Sequence, residues 1–598
     1  MSGGDRASDE SGARGPANPH GMGMSEVAGG AIAPVDRKAE VNRSSMNHSG
    51  ALGSVLNYEV KELRFGTSGR RGKVVDLTQL EVYLNALAEM EYLQSLPAAE
   101  GGIVRGDDFY IAMDLRPSST ALVPSQGGRG EIAQAIVAAI RDAGMKPVNL
   151  GRIPTPALMS YAVAHGRGSI MVTGSHIPFD RNGYKTNSSR GELRKEEEEP
   201  IGRQVARVRD RLYRRPIDQS IFDRAGMLKA GRQELPVERC AADLAYRDRY
   251  LQFFQGLSLA GMRLLLYEHS AVGRDMLSEL LLDLGAKVVR AGRSDNFVPI
   301  DTENIDAAQL ASIQALADGA GGHFDAIVST DGDSDRPLIL GVHRKTGKAQ
   351  FFGGDLAGML VAEYLGADAV VVPISCNDAI DRGELAPALE PKTRIGSPFV
   401  IAGMEAALRK GRRRVCGWEP NGGFLTGSDF EKDGVTLSAL PTRDAVLPIL
   451  AVLFAAKAAG ASLVELFARL PRRYSRAALL KDFPRSTSLR IVAALSPSGG
   501  AAADEQQEEQ REIRELLGAF FRPEMRFSAV DRVDYTDGVR IFFTNGEIAH
   551  LRPSGNADEL RIYAVADTQS RADSIAAMGV AEPDGILRRM EYAFSTRV

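Results

Sequence analysis

Gly168-Ser169-Ile170-Met171-Val172-Thr173-Gly174-Ser175-His176-Ile177-Pro178 is the stretch on which the fold turns. The short apolar run from Gly168 to Val172 reads as a buried strand. Gly174 removes a side chain where the backbone must bend sharply, and Pro178 keeps a helix from starting at once. The loop therefore presents the Ser175 hydroxyl at the carboxyl end of a strand, where open α/β sheets bind their ligands. His176 follows directly, and Lys185 lies ten residues on. By itself such a loop is an ordinary polar turn; three distant stretches give it meaning.

Working outward, the pattern predicts a helix near 78–94, a strand at 109–113, a helix from about Glu131 with Ile132, Ile136 and Ile140 on one face, a strand at 147–150 and a helix from Thr155. Alternating strands and helices imply a parallel, doubly wound sheet. Two further units repeat the theme. One has strands at 262–267, 287–290 and 324–328 with helices at 275–284 and 306–317; the other has helices at 355–365, from Asn377 and at 398–410, with strands at 369–373 and 413–416. The charged run Lys195–Glu199 and the polar run Ala502–Gln510 read as loops. Beyond them, Asp537-Gly538 and Asn545-Gly546 between β-branched and aromatic runs are hairpin signals. The expected fold class is α/β: three similar doubly wound domains around a central cleft, followed by a smaller α+β domain with an antiparallel sheet. The expected divisions are a flexible tail over 1–57, then 58–222, 223–348, 349–470 and 471–598, with a linker near Pro471–Pro484.

At 598 residues the chain is long enough for several cores. A net charge of −4 with both signs interspersed argues against a nucleic-acid partner. Three scattered cysteines, Cys240, Cys376 and Cys416, form neither a disulfide framework nor a zinc site, and suit a reducing cytoplasm. The amino terminus lacks an apolar signal region, and the longest apolar run, Ala445–Ala456, is too short for a bilayer. A small-molecule enzyme is expected, with no membrane partner and a monomeric or homodimeric state.

The sharpest chemical signal is Asp331-Gly332-Asp333-Ser334-Asp335-Arg336, placed directly after a strand. Three carboxylates at alternate positions can converge on a hard cation, and Mg²⁺ prefers such ligands. An EF-hand is excluded, because Arg336 stands where its glycine belongs. In Glu419-Pro420-Asn421-Gly422-Gly423, Glu419 and Asn421 suit vicinal hydroxyls of a sugar. The loop from Arg552 through Ser554, Gly555 and Asn556 to Arg561 combines guanidinium, hydroxyl, amide and backbone donors, as a phosphate dianion requires. Gly66-Thr67-Ser68-Gly69-Arg70-Arg71-Gly72 suits an anion-binding loop, although its spacing is not that of a Walker P-loop.

In this order the motifs resemble those of the α-D-phosphohexomutase family, over about 62–568. The resemblance implies a phosphoserine at Ser175, Mg²⁺ held by Ser175, Asp331, Asp333 and Asp335, sugar contacts from Arg336, Glu419 and Asn421, and a phosphate site at Arg552, Ser554, Gly555, Asn556 and Arg561. It implies interconversion of hexose 6- and 1-phosphates through a 1,6-bisphosphate, which also serves as activator, with Ser175, His176, Lys185 and Arg71 as catalytic groups. Lys185 is expected as general base, lowered by nearby Arg71, or else as a phosphate-binding cation. The sugar loop departs from the family, since Asn421 and Gly423 stand at its serine and histidine positions; Asp558 near the phosphate loop is a second departure. The serine and sugar loops most resemble those of bacterial phosphomannomutases, which favours mannose over glucose or glucosamine. A metal-dependent phosphatase and a non-catalytic relative are the alternatives.

Overall fold

The computed structural model describes residues 50–66, 69–231, 234–497, 503–554 and 558–595, and four principal sheets succeed one another along them. In the first, the strands lie in the order Arg70–Lys73, Arg181–Ser188, Ser169–Val172, Asp108–Met113, Lys146–Asn149. Alternation divides its side chains. Ile111, Ile170 and Val172 face the helices Gln79–Leu93, Ile132–Asp142 and Glu198–Tyr213, while Tyr110, Ala112 and Met171 face Thr155–Ala164 and Ala241–Phe253. The isoleucine stripe at 132, 136 and 140 is buried, as its spacing predicts. Thr78 caps its helix by accepting from the Glu81 N–H at 3.2 Å.

The second sheet runs Lys287–Arg293, Arg263–His269, Ala326–Thr330, Pro337–Val342, Ala349–Phe351, and the third Ala369–Val371, Val415–Trp418, Phe424–Thr426, Leu440–Asp444. The expected purely parallel sheets are in fact mixed. In all three, the strands before the chemistry-bearing loop are parallel, but the loop itself joins an antiparallel pair. Segments as short as 173–180, 331–336 and 419–423 can close a hairpin, whereas a parallel crossover needs a dozen or more residues. One apolar core runs from Tyr110 and Met171 through Leu264 and Val328 to Trp418 and the helix Val446–Ala458. The longest apolar run is thus a core helix, and no described helix is long and apolar enough to cross a membrane.

The fourth sheet is wholly antiparallel, in the order Tyr474–Leu480, Leu560–Ala566, Ile548–Pro553, Val539–Phe543, Val530–Asp534, and has a separate core. Gly538 and Gly546 adopt φ of 82° and 80° at its two tight turns.

Several local expectations are corrected. Of the proposed tail, 1–49 lies outside the described residues, but Leu52–Val55 is helical and Leu52 is buried. Of the run 502–510, rich in glutamate and glutamine, residue 502 lies outside the described residues and 503–510 form the start of the helix Ala503–Phe520, as residues of good helix propensity do. Lys195–Glu199 opens the helix Glu198–Tyr213, placing acidic residues at its positive end. The helix from Asn377 is one 3₁₀ turn, Asp378–Asp381. The linker contains a full strand, and its buried Arg473 donates to Asp378, Asp567 and the Gly546 carbonyl.

Two buried histidines make stability pH-dependent. His269 and His550 donate from Nε2 to the carbonyls of Thr330 (2.7 Å) and Asp537 (2.6 Å), and burial lowers them to about 4 and about 3. Their contribution is complete above the unfolded value of about 6.5 and is lost as pH falls toward the folded values, because the unfolded chain then binds the extra protons. Thermal unfolding at pH 7 and pH 4.5 should show a smaller acid-induced drop for His550→Gln than for the parent, by about 2.5 kcal/mol in stability. Equal drops would contradict this account of His550.

Candidate active site

Ser175 is completely buried and sits at φ 53°, a left-handed conformation that costs a non-glycine residue roughly 1–2 kcal/mol. Its surroundings impose it. The Ser175 N–H donates to Thr173 Oγ1 at 2.7 Å, and Asp114 Oδ2 accepts from Thr173 Oγ1 (2.9 Å) and the Gly174 N–H (3.2 Å). Arg116 donates to four carbonyls of the same loop: Ser175 (3.0 Å), Ile177, Pro178 (2.8 Å) and Arg181 (2.9 Å). Its guanidinium fits because residue 174 is glycine; a Cβ there would lie 2.6 Å from it. Its carbon also lies 3.7 Å from the ring centroid of Phe297, which follows the strand Lys287–Arg293 of the second sheet. Burial pulls Arg116 down and Asp114 up, so the 3.3 Å pair between them keeps each charged group from being buried alone.

Sequence reasoning missed Arg116, although a charged residue just past a buried strand, in Asp114-Leu115-Arg116-Pro117, was the available signal. Lysine cannot reproduce this planar fork. Arg116→Lys should therefore lower kcat by roughly 10²-fold, the equivalent of two hydrogen bonds of about 1.4 kcal/mol each, with KM nearly unchanged. Steady-state kinetics measure this; an unchanged kcat would mean that the serine turn holds itself.

The metal-type loop meets the serine face to face. Ser175 Oγ donates to Asp331 Oδ2 at 2.8 Å. Gly332 permits the approach, since a Cβ there would lie 2.7 Å from the Ser175 carbonyl. Asp331 Oδ1 accepts from the N–H groups of Asp335 (3.1 Å) and Arg336 (3.3 Å). Asp333 Oδ2 accepts from Thr155 Oγ1 (2.8 Å) and Lys185 Nζ (2.9 Å), and Asp335 Oδ2 from Lys185 Nζ (2.8 Å) and Arg443 (2.9 and 3.1 Å). One ligand atom from each aspartate lies within 4.8 Å of the others. Burial, then Asp333 and Asp335, push the Asp331 carboxyl well up. Burial also opposes charge on Asp333 and Asp335, but Lys185 for the first and Arg443 for the second outweigh it and hold both low. Asp333 Oδ1 and Asp335 Oδ1 are buried without hydrogen-bond partners, the second 3.5 Å from Arg336 Nε, a costly arrangement that a hard cation would relieve. The donor set fits Mg²⁺.

Around this centre, Arg336 Nη1 donates to His176 Nδ1 at 2.8 Å. Burial, Arg336 and Arg71 hold His176 well below its ordinary value, which leaves a neutral imidazole with its proton assigned to Nε2. The two arginines of the first motif diverge by strand alternation. Arg70 is buried against Glu89 and the Leu63 carbonyl and serves the fold. Arg71 feels Asp333, Arg336 and Arg443, and burial brings its guanidinium down to about 10. Thr67 and Ser68 lie outside the described residues. Lys185, the expected general base, bridges two carboxylates as a donor.

In the sugar-type loop Glu419 Oε2 accepts from Arg443 Nη1 at 3.0 Å. Asn421 Oδ1 accepts from the Gly423 N–H at 3.0 Å, so that acceptor is engaged within the loop. Arg443, also missed in the sequence, ties this loop to the metal-type loop. On the fourth sheet Arg552 and Arg561 stand directly opposite on neighbouring strands. Two guanidiniums so placed repel unless an anion joins them. Arg552 Nε donates to Asp537 at 3.1 Å and Arg561 Nη2 to Glu559 at 3.5 Å, while Arg561 Nε is buried without a hydrogen-bond partner. Ser554 is buried beside them; Gly555 and Asn556 lie outside the described residues. Asp558 turns away, accepting at 3.0 Å from the N–H of Arg485, where the helix Arg485–Ala494 begins.

A buried serine against an acidic triad, with a sugar-type loop and a guanidinium pair nearby, defines a phosphotransfer site. Residues 62–211 match phosphoglucomutase/phosphomannomutase α/β/α domain I, 353–474 match domain III, and 501–582 match the C-terminal domain of that family. A phosphomannomutase of Salmonella muenchen is 37% identical over 516 residues, covering 86% of this chain and 94% of that protein. One from Sinorhizobium fredii is 37% identical over 529 residues, covering 87% and 98%. Among solved structures, a phosphoglucomutase/phosphomannomutase family protein from Burkholderia thailandensis shares the fold, with a TM-score of 0.58 at 18% identity over 89% of this chain and 98% of that one. The chain belongs to the phosphoglucomutase/phosphomannomutase family. It is a phosphohexomutase, an isomerase that moves a phosphoryl group within its substrate.

Proposed function

We propose that the protein interconverts a hexose 6-phosphate and the corresponding hexose 1-phosphate, with mannose as the hexose, through a phosphoserine at Ser175 and a 1,6-bisphosphate intermediate. The observation that carries this reading is the strained, buried Ser175 hydroxyl, held 2.8 Å from Asp331 in an acidic cluster that keeps two carboxylate oxygens without a hydrogen bond. Phosphoserine 175 gives its phosphoryl group to the free sugar hydroxyl; the bisphosphate turns over, and its other phosphate returns to the serine. Arg552 and Arg561 suit the phosphate that is not reacting, because two guanidiniums accommodate either end of the reoriented sugar equally. Arg336 and Glu419 suit the sugar between them.

Asp331, Asp333, Asp335 and a phosphoserine oxygen would hold Mg²⁺, which when bound supplies charge neutralisation at the transferring phosphoryl group. Lys185 takes the cation role rather than that of base, because its amine is already directed at Asp333 and Asp335. Mannose is favoured by the two phosphomannomutase relatives. The test is isomerisation of mannose, glucose and glucosamine phosphates, each primed with its 1,6-bisphosphate, with free phosphate measured in parallel. Mannose phosphates should turn over fastest with little phosphate released; hydrolysis without isomerisation would point to a phosphatase instead.

A further inference from the structure

We propose that Glu303 is a catalytic carboxyl group of this cleft, contacting the reacting sugar hydroxyl and exchanging its proton. The proposal rests on the mutase reading above and deepens it. Proton transfer needs a group beside the sugar; in the sugar loop the family's histidine position is Gly423, and Glu419 is engaged by Arg443. Nor is there room for a side chain at that position: a Cβ at 423 would lie 2.5 Å from the Arg443 side chain, which fills that space and joins Glu419 to Asp335.

The remaining titratable groups are committed. Asp331, Asp333 and Asp335 form the metal-type cluster, Lys185 bridges two of them, Glu419 holds Arg443, and His176 is tied to Arg336. Glu303 is different. It lies in the segment between the strand Lys287–Arg293 and the helix Ala307–Ala320, and the neighbouring Thr302, 1% exposed, pins that segment to the sugar loop by donating to the Asn421 carbonyl at 2.7 Å. The Glu303 carboxylate has no hydrogen-bond or ion-pair partner among the described residues, so its acceptors are free for a ligand. Asp301 of its own segment, Arg336 of the metal-type hairpin, Glu419 of the sugar-type hairpin, and Arg561 and Tyr563 of the fourth sheet act on its charge. The hydrogen bond of Thr302 holds its segment against the sugar-type loop. Burial and then Asp301, working against Arg561 and Arg336, raise it to about 7, the range in which a group both takes and returns a proton.

In the forward half-reaction the sugar hydroxyl passes its proton to the Glu303 carboxylate as its oxygen bonds to phosphorus. The phosphorus–Oγ bond breaks with its electron pair on Ser175, and that oxygen takes one proton from water. In the return half-reaction Ser175 Oγ attacks the other phosphate and releases its proton to water. The departing sugar oxygen then recovers the proton from Glu303.

The test is the pH profile of kcat for the full-length wild type, Glu303→Gln and Glu303→Asp, with calorimetric titration of mannose 6-phosphate and thermal unfolding as companions. The proposal expects Glu303→Gln to keep its unfolding temperature and to bind the sugar phosphate within about threefold of wild type. It should lose roughly 10²- to 10⁴-fold in kcat together with the limb near pH 7, and Glu303→Asp should recover part of both. Full kcat with the limb intact in Glu303→Gln overturns the proposal. So does a rise in KM with kcat unchanged, since Glu303 would then only bind the sugar. Either result, obtained beside an active wild type, leaves the mutase reading standing. A wild type that isomerises no hexose phosphate removes the mutase reading and Glu303's role with it.

Discussion

Ser175→Ala is expected to lose about 10⁴-fold or more in kcat while keeping the parent's unfolding temperature to within a few degrees. The size follows from losing the group that forms the covalent intermediate, since the remaining machinery cannot substitute for a nucleophile. Stability should change little. The hydroxyl gives up one hydrogen bond to Asp331, but the strained turn is held by Arg116 and Asp114, whose contacts are with backbone and Thr173. Steady-state isomerisation and thermal unfolding of the two proteins make the comparison. Turnover near the parental rate would exclude a phosphoserine mechanism.

The second large effect is expected at Asp333. Asp333→Asn should lower kcat about 10³-fold and abolish the response to added Mg²⁺, because a bound metal contributes several kcal/mol to the charge balance of phosphoryl transfer. The amide keeps the shape and can still accept from Thr155, so the 2.8 Å hydrogen bond there need not be lost. What changes is charge. Among the described residues Lys185 would keep Asp335 as its carboxylate partner, and the cluster would offer one anionic oxygen fewer. Chelation followed by Mg²⁺ titration separates the variants: the parent should lose and regain activity, and the variant should respond to neither. A parental Mg²⁺ response in Asp333→Asn would move the metal to other ligands.

Much of this architecture was legible because local pattern and tertiary role agree. The isoleucine stripe of 132, 136 and 140, the apolar run before Ser175 and the two Gly-containing turns of the last sheet each have one stable reading, and the structure adopts it. Strand direction was not legible from the alternation of elements. The information lay instead in the shortness of the loops around Ser175, Asp333 and Glu419, which only hairpins can close. Arg71 could be separated from Arg70 only once the strand was known, because alternation decides which guanidinium turns toward the cleft. Arg116, Arg443 and Glu303 escaped for a different reason. Each sits in an unremarkable tripeptide, and its significance comes from partners distant in sequence, such as Glu419 for Arg443, 24 positions away, and Asn421 for Thr302 in the segment of Glu303, 119 positions away. A buried charge near a strand end was the visible trace.

The central claim is that Ser175 carries the phosphoryl group between the two ends of a hexose. It is tested most directly by incubating the protein with mannose 1,6-bisphosphate labelled in both phosphates, isolating it, and locating the label by peptide mass analysis. The isolated protein is then mixed with unlabelled mannose 1-phosphate in a single turnover. The account predicts one phosphoryl group on the peptide containing Ser175, which leaves the serine and appears in bisphosphate and 6-phosphate as it does so. Label that never reaches Ser175, or that stays there while isomerisation proceeds, would contradict it.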